Sequence, residues 1–195
     1  VPDLEDPQQL INLVKVINLL RAQGKILAYH DRSDGGLFGT VAEMCFAGQV
    51  GVALNLDLLI TEGDGISDSR ADHGDAKNWA QQISARRDEL TLKALFNEEL
   101  GAVIQINTQD RSEVMQALRE HGLSKYSHVI GKTRPQHATI AKGVGALSIW
   151  RDTQEIFSAK LEDLHQVWDS VSWKICQQRD NSVCADSEHA LIGHP

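Results

Sequence analysis

This sequence predicts an α+β domain in which helices cover a mixed sheet. Three observations lead there: amphipathic helical stretches alternate with short strands, most strands alternate apolar and polar residues, and the joins fall on glycine, proline and capping residues. The length of 195 residues with 42% apolar content suits one domain with a proper core, or a domain plus a short appendage. No repeat of solenoid length is present.

Taken in order, Asp6-Pro7 supplies an N-cap and a first-turn proline for a helix through Arg21 that Gly24 closes. Its stripe is Leu10, Leu13, Val14, Ile17 and Leu20. Lys25 to Tyr29 is a short buried strand, and Leu37, Val41, Met44 and Cys45 then repeat at helical spacing. Val50 to Leu56 alternates as a strand, followed by a polar insertion from Thr61 to Arg87. A helix from Asp88 to Glu98 leads into the strand Ala102 to Ile106. Arg111 to Glu120 is a further amphipathic helix ended by Gly122, and Ser127 to Gly131, Ala138 to Ala141 and Ala146 to Arg151 are strands of one continuing sheet. The last helix, Leu161 to about Gln178, carries Leu164, Val167, Trp168, Val171 and Ile175 on a face predicted to pack on that sheet. The remaining polar tail has no periodic stripe and is predicted to be mobile.

Chemistry concentrates at the first strand-to-helix join, Ala28-Tyr29-His30-Asp31-Arg32-Ser33-Asp34-Gly35-Gly36-Leu37. Gly35 and Gly36 open backbone conformations closed to other residues and let a ligand approach closely, while a helix start favours an anion. Asp31 and Asp34 would repel a bare phosphate. A hard cation between them removes the conflict, so a Mg²⁺-bridged nucleotide is the natural occupant. Taken alone, such a turn also reads as a helix cap. His30 suits either a phosphate contact or a structural imidazole.

Other candidates fall away on spacing. The stretch from Asp64 to Asp75 invites a calcium-loop reading, but Ile66 occupies a ligand position and the twelfth residue is Asp rather than the closing Glu. Cys45 lies on a helical apolar stripe as a small core residue, and Cys176 and Cys184 match neither a zinc ribbon nor a redox pair. His121, His128 and His137 are dispersed, and His189 and His194 sit in the tail without a coordinating pattern. Glu98 and Glu99 are adjacent on a helix and point apart, which suits a helix-end cap with one strand-facing contact rather than an acid/base pair. Thr133-Arg134 follows a strand and reads as a solvated turn or a phosphate contact.

Nineteen basic against 27 acidic residues give a formal net charge of -8, with no basic patch interleaved with aromatics, so nucleic acid is not an expected partner. No run of about 18 apolar residues supports a membrane span, and no signal peptide is recognisable at Val1-Pro2-Asp3-Leu4-Glu5-Asp6. Three sparse cysteines suit a reducing compartment, and a cytoplasmic location is the expectation. Val1 reads as an internal residue of a larger polypeptide.

The string HDRSDGGL resembles the signature of the C-terminal domain in the aminoimidazole-ribonucleotide-synthetase-like superfamily. AEMCFAGQVGVALNLD at Ala42 to Asp57 and LFNEELGAVIQI at Leu95 to Ile106 are similar to the second such domain of the phosphoribosylformylglycinamidine synthase family, long single-chain bacterial type. The resemblance covers roughly residues 1 to 180. The segment from Trp173 through Gln177, Arg179, Asp180, Asn181, Cys184, Ala185 and Glu188 resembles the run into that family's glutaminase domain. The resemblance implies a synthetase-like C-terminal domain over residues 1–178, an α/β/α layered fold that is partly ferredoxin-like, and a linker over 179–195 towards a glutaminase domain absent from this chain.

It also implies a role. In that family ATP phosphorylates the amide oxygen of formylglycinamide ribonucleotide, and ammonia released from glutamine in another domain displaces the phosphate to give the amidine. Carried over by position, Asp31 resembles a Mg²⁺ ligand and Ser33 a nucleotide contact, with Asp34, Gly35 and Gly36 shaping the loop. The nucleotide is ATP or ADP, at a turning-over or a structural site, with the structural one favoured. The implied partners are the remaining synthetase and glutaminase domains of the same polypeptide. Two other classes would use parts of this pattern: the C-terminal half of another kinase or synthetase of the superfamily, which shares the loop, and a ferredoxin-like binding module, which does not need it.

Overall fold

The structure is a computed structural model that describes Leu4 and residues 6–60, 76–134 and 145–192, without side chains for 76–85 and 134. The calcium-loop stretch, the strand expected at Ala138 to Ala141, His137 and His194 lie outside the described residues. The chain forms two compact units, residues 1–44 with 58–129 and residues 45–57 with 130–195.

In the first unit, α1 spans Pro7–Ala22, with Asp6 accepting from the Gln8 N–H and proline in the first turn. Gly24 follows at φ 67°. Strand β1 (Ala28–Asp31) pairs antiparallel with β3 (Ala102–Gln105), setting His30 opposite Val103 and Asp31 opposite Ala102. Helix α4 (Ala76–Phe96) leads towards β3, and α5 is Arg111–Glu120. The core joins Val16 and Leu20 to Val114, Leu118 and Leu123, with Leu13, Ile26 and Ile104 packed against it. Each fully buried aliphatic side chain contributes about 1.5–3 kcal/mol.

That core corrects the expected stripe of α1. The buried row runs through Leu13, Val16 and Leu20, whereas Leu10 and Val14 are exposed. Both rows have helical spacing, and only the neighbours α5 and β3 select between them.

Helix α2 (Gly36–Gly48) begins in the first unit and ends in the second, and α3 is the short Asp57–Ile60. The second unit holds a four-stranded mixed sheet, order β4-β2-β5-β6, from β2 (Gly51–Asn55), β4 (Gly131–Arg134), β5 (Ala146–Arg151) and β6 (Gln154–Lys160). β2 runs parallel to β5 and antiparallel to β4, and Leu54, Leu147 and Ile149 are buried. The mixed sheet of the predicted class is present. β4 and β5 share that sheet through β2, while β1 and β3 pair with each other in a separate two-stranded sheet among the described residues. Alternation identifies a strand without identifying its partner.

Three local expectations are also corrected. The strand expected at Ser127 to Gly131 instead starts at Gly131, so Thr133-Arg134 lies in β4, with Thr133 opposite Val52. β6 is an unforeseen edge strand, joined to β5 by Asp152 and Thr153, both at positive φ as a two-residue hairpin turn requires. The tail residues Ser182–Ala190 form α7, with Asn181 accepting from the Val183 and Cys184 N–H groups.

Helix α6 (Leu161–Arg179) departs most from expectation. Of the face predicted to pack, Leu164 is half-buried but Val167, Trp168, Val171 and Ile175 are 53–73% exposed. Of that face Trp168 still meets the buried Phe46, ring centroids 6.0 Å apart, and the further contacts come from other positions: Leu161 is buried, His165 stacks on Phe46 at 4.6 Å, and Trp173 stacks on His189 of α7 at 4.3 Å. His189 Nδ1 lies 2.8 Å from Asp169, and the Trp173 indole donates to Asp186 at 3.0 Å.

Candidate functional site at the β1 to α2 loop

Along β1 the side chains alternate, so Ala28 and His30 turn inward while Tyr29 and Asp31 face out. The chain leaves the strand at Arg32 and starts α2 at Gly36. Gly35 and Gly36 sit at φ 79° and 61°, two consecutive left-handed residues, as the glycine pair predicts. At Gly36 a second constraint applies. A Cβ there would come within 2.7–2.8 Å of the Phe96 and Leu95 backbone, so the loop rests directly on the end of α4.

The turn after α4 grips the loop at both ends. The Arg32 N–H donates to the Gly101 carbonyl at 2.8 Å, and its guanidinium donates to the carbonyls of Glu99 at 2.5 Å and Leu100 at 3.3 Å. Burial pulls that guanidinium below its ordinary pKa, against a smaller upward pull from the charge of Glu99. At the other end the Gly35 N–H donates to Glu98 Oε1 at 3.0 Å. Glu98 therefore fastens the loop rather than capping its own helix, which ends at Phe96. The Gly36 N–H donates to the Ser33 carbonyl at 2.9 Å. Two amides expected to stand free for an anion are thus already engaged.

His30 resolves towards its structural reading. Its Nδ1 lies 2.6 Å from the Asp31 carbonyl and its Nε2 2.8 Å from Glu43 Oε2, so the doubly protonated ring satisfies both acceptors. The bond to the Asp31 backbone raises its pKa most, partly opposed by burial and reinforced by Glu43 and then by the Asp31 charge. The buried Thr40 hydroxyl also donates to the Asp31 carbonyl, at 3.4 Å.

These contacts leave the predicted site residues outward. The Asp31 carboxylate is 71% exposed, with the His30 ring 3.8 Å away. Ser33 and Asp34 are exposed and make no side-chain hydrogen bond among the described residues. Beside Asp31 opens a groove of about 280 Å³ lined by Leu10, Val14, Ile17, Tyr29, Leu100 and Arg32. Among the described residues no cluster of three His, Cys, Asp or Glu forms a metal cage. A Mg²⁺ ion commonly takes one or two protein carboxylates and completes its shell with phosphate and water, a role open to Asp31. Sequence reasoning missed Glu98, Glu43 and Thr40 as supports. For Glu98 the signal was its place in the LFNEELG string.

Cys45 behaves as the core residue expected, buried with its thiol pushed up to about 12 by desolvation. Cys176 is half-buried and Cys184 exposed, and all three are free thiols. No helix among the described residues is long and apolar enough to cross a membrane.

Residues 1–143 match the family described as AIR synthase related protein, C-terminal domain. A phosphoribosylformylglycinamidine synthase of Schizosaccharomyces pombe (strain 972 / ATCC 24843) is 36% identical over 188 residues, covering 96% of this chain and 12% of that protein. This chain therefore spans about one eighth of that relative's length. Among solved structures, Thermotoga maritima PurL complexed with FGAR superposes with a TM-score of 0.57 at 15% identity, over 83% of this chain and 21% of that one. The same protein complexed with ATP gives 0.54 at 13% identity, over 82% and 22%. PurLQS from the same organism gives 0.54 at 15% identity, over 82% and 22%. At those identities the likeness is one of fold.

Proposed function

We propose that this chain, which belongs to the AIR synthase related protein C-terminal domain family, is the Mg-nucleotide loop domain of a phosphoribosylformylglycinamidine synthase acting in purine biosynthesis. The reaction is the ATP-dependent conversion of formylglycinamide ribonucleotide to its amidine. Ammonia comes from glutamine at a glutaminase domain of the same cytoplasmic polypeptide, and residues 179–195 form the linker towards it. The observation that carries the reading is the contrast within one loop. Its backbone is fastened at both ends, while Asp31, Ser33 and Asp34 are exposed and available.

In this reading Asp31 supplies one Mg²⁺ ligand, Ser33 contacts the nucleotide, and Asp34, Gly35 and Gly36 shape the loop. When bound, the cation neutralises charge on the phosphates. The chain's own part is to hold one carboxylate at a fixed height above β1, through the two bonds on the Asp31 carbonyl. In this reading the nucleotide held here is a retained structural ADP. The relative's identity over nearly the whole chain and the ATP and ADP complexes of Thermotoga maritima PurL support the nucleotide class.

The test is nucleotide bound per protein after gel filtration of the full-length enzyme, with and without chelator. Retained ADP that is released by chelator is the expected result, and no bound nucleotide under either condition overturns the reading. The isolated chain is expected to show neither amidine synthase nor glutaminase activity, since the reacting groups require several domains held together.

A further inference from the structure

We infer that Glu98 and Arg32 are positioning residues for this loop, a carboxylate latch and a guanidinium tether that set its binding shape before any ligand arrives. The inference rests on the nucleotide reading above and extends it to residues that touch neither metal nor nucleotide. Two segments 63 positions apart, at Gly35 and Glu98, are joined by a charge-assisted hydrogen bond from a backbone amide to a carboxylate. That bond holds Gly35 at φ 79°, a conformation the free chain abandons readily because glycine populates many others. Three residues upstream of Gly35, the other anchor begins at Arg32, beside Asp31. Arg32 ties the strand end to the carbonyls of residues 99 and 100 with its side chain and to residue 101 with its backbone.

A Cβ at Gly101 would sit 3.4–3.6 Å from the guanidinium, at ordinary contact distance, so the arginine lies closely over this turn. Between the anchors, Ser33 and Asp34 are left without side-chain partners among the described residues. Two of the sequence strings that carry the family resemblance, HDRSDGGL and the LFNEELG part of the third, are therefore two halves of one mould. Preorganisation of this kind spares the ligand the entropy of ordering the loop.

The role separates from simple fold support by chemistry. Glutamine at position 98 keeps an Oε1 acceptor for the Gly35 amide and loses only the charge, whereas alanine loses the acceptor. Glu98 is exposed, so neither variant leaves a buried polar group unpaired. In this chain, Glu98→Ala is expected to speed amide exchange at Gly35 by about tenfold, in line with loss of one hydrogen bond to a charged group. In the full-length enzyme the same change is expected to raise the dissociation constant for Mg·ADP by about tenfold, with Glu98→Gln restoring both readouts to within about threefold of wild type. Arg32→Lys, which reaches at most one of the two carbonyls, is expected to fall between them.

Unchanged exchange and affinity in Glu98→Ala overturn the inference. So does faster exchange with unchanged Mg·ADP affinity, which reduces Glu98 to a fold contact. Glu98→Gln as damaging as Glu98→Ala also overturns it, because charge and not the latch would then matter. If wild type binds no Mg·ADP, the nucleotide reading fails and this extension of it fails with it, while slow, Glu98-dependent exchange at Gly35 would still identify the latch by itself.

Discussion

Around the Asp31 to Gly36 loop the decisive contacts involve backbone: Arg32 on three carbonyls, the Gly35 amide on Glu98, and Gly36 pressed on the end of α4. Helix α7 is held on α6 by side chains, through the Trp173–His189 stack and the carboxylates of Asp169 and Asp186. The difference teaches where substitution is tolerated. Side chains at a helix pair can repack around a smaller neighbour, but a backbone in direct contact with another backbone has no slack to give.

The largest expected effect breaks the tight side of that comparison. Gly36→Ala places a methyl group 2.7–2.8 Å from backbone atoms at a φ of 61°, and should cost about 3 kcal/mol of stability in urea unfolding. Gly24→Ala is the control, because φ is similarly positive at 67° but nothing lies within 4 Å. Its cost should be only about 1 kcal/mol, the conformational penalty alone. Equal costs at the two positions would show that the seat on α4 contributes nothing.

Asp31→Asn addresses ligand rather than fold. The carboxylate is exposed and the amide keeps its shape, so the melting temperature of the chain should hold. Mg²⁺-dependent nucleotide retention in the full-length enzyme should fall about tenfold, as expected for one lost anionic ligand to a hard cation. Equal retention in wild type and variant, with and without chelator, leaves Asp31 as a turn residue only.

On the looser side, Trp173→Leu removes the stack on His189 and the indole donor to Asp186. The expected cost is about 1 kcal/mol, read as faster amide exchange confined to α7. A loss comparable to Gly36→Ala would erase the contrast between the regions.

The smallest effect is one of pH. His30 is raised above its ordinary value of 6.5, chiefly by its bond to the Asp31 backbone. A raised histidine stabilises the fold fully below its unfolded pKa, and that contribution is lost as pH rises through the folded one. The stability gap between wild type and Glu43→Gln should therefore be wider near about pH 5.5 than near about pH 8.5. A gap that widens with pH instead would mean that the ring is neutral in the fold.

Much of this architecture was legible because local chemistry wrote it. The cap at Asp6, the proline at position 7, the stop at Gly122 and the glycine pair at 35 and 36 each act within a few residues. The loop's outward residues were legible for the same reason. What escaped was set by distant partners. Two rows of α1 have helical spacing, and α5 with β3 chose the one through Val16. The apolar run on α6 marks a helix but not a buried face, and Val167 and Val171 remain exposed.

By itself, then, the sequence determined α1, α2, α5, α6 and the last part of α4, most strands and the Asp31 to Gly36 loop with its exposed carboxylate and hydroxyl, since capping, periodicity and glycine freedom are short-range. Only the tertiary structure decided that Glu98 and Arg32 hold that loop, that β1 and β3 form a sheet of their own, and that Ser182–Ala190 folds onto α6 as a helix. Those outcomes depend on which groups meet across dozens of residues, and pairwise geometry at such separations is encoded by no single stretch of chain.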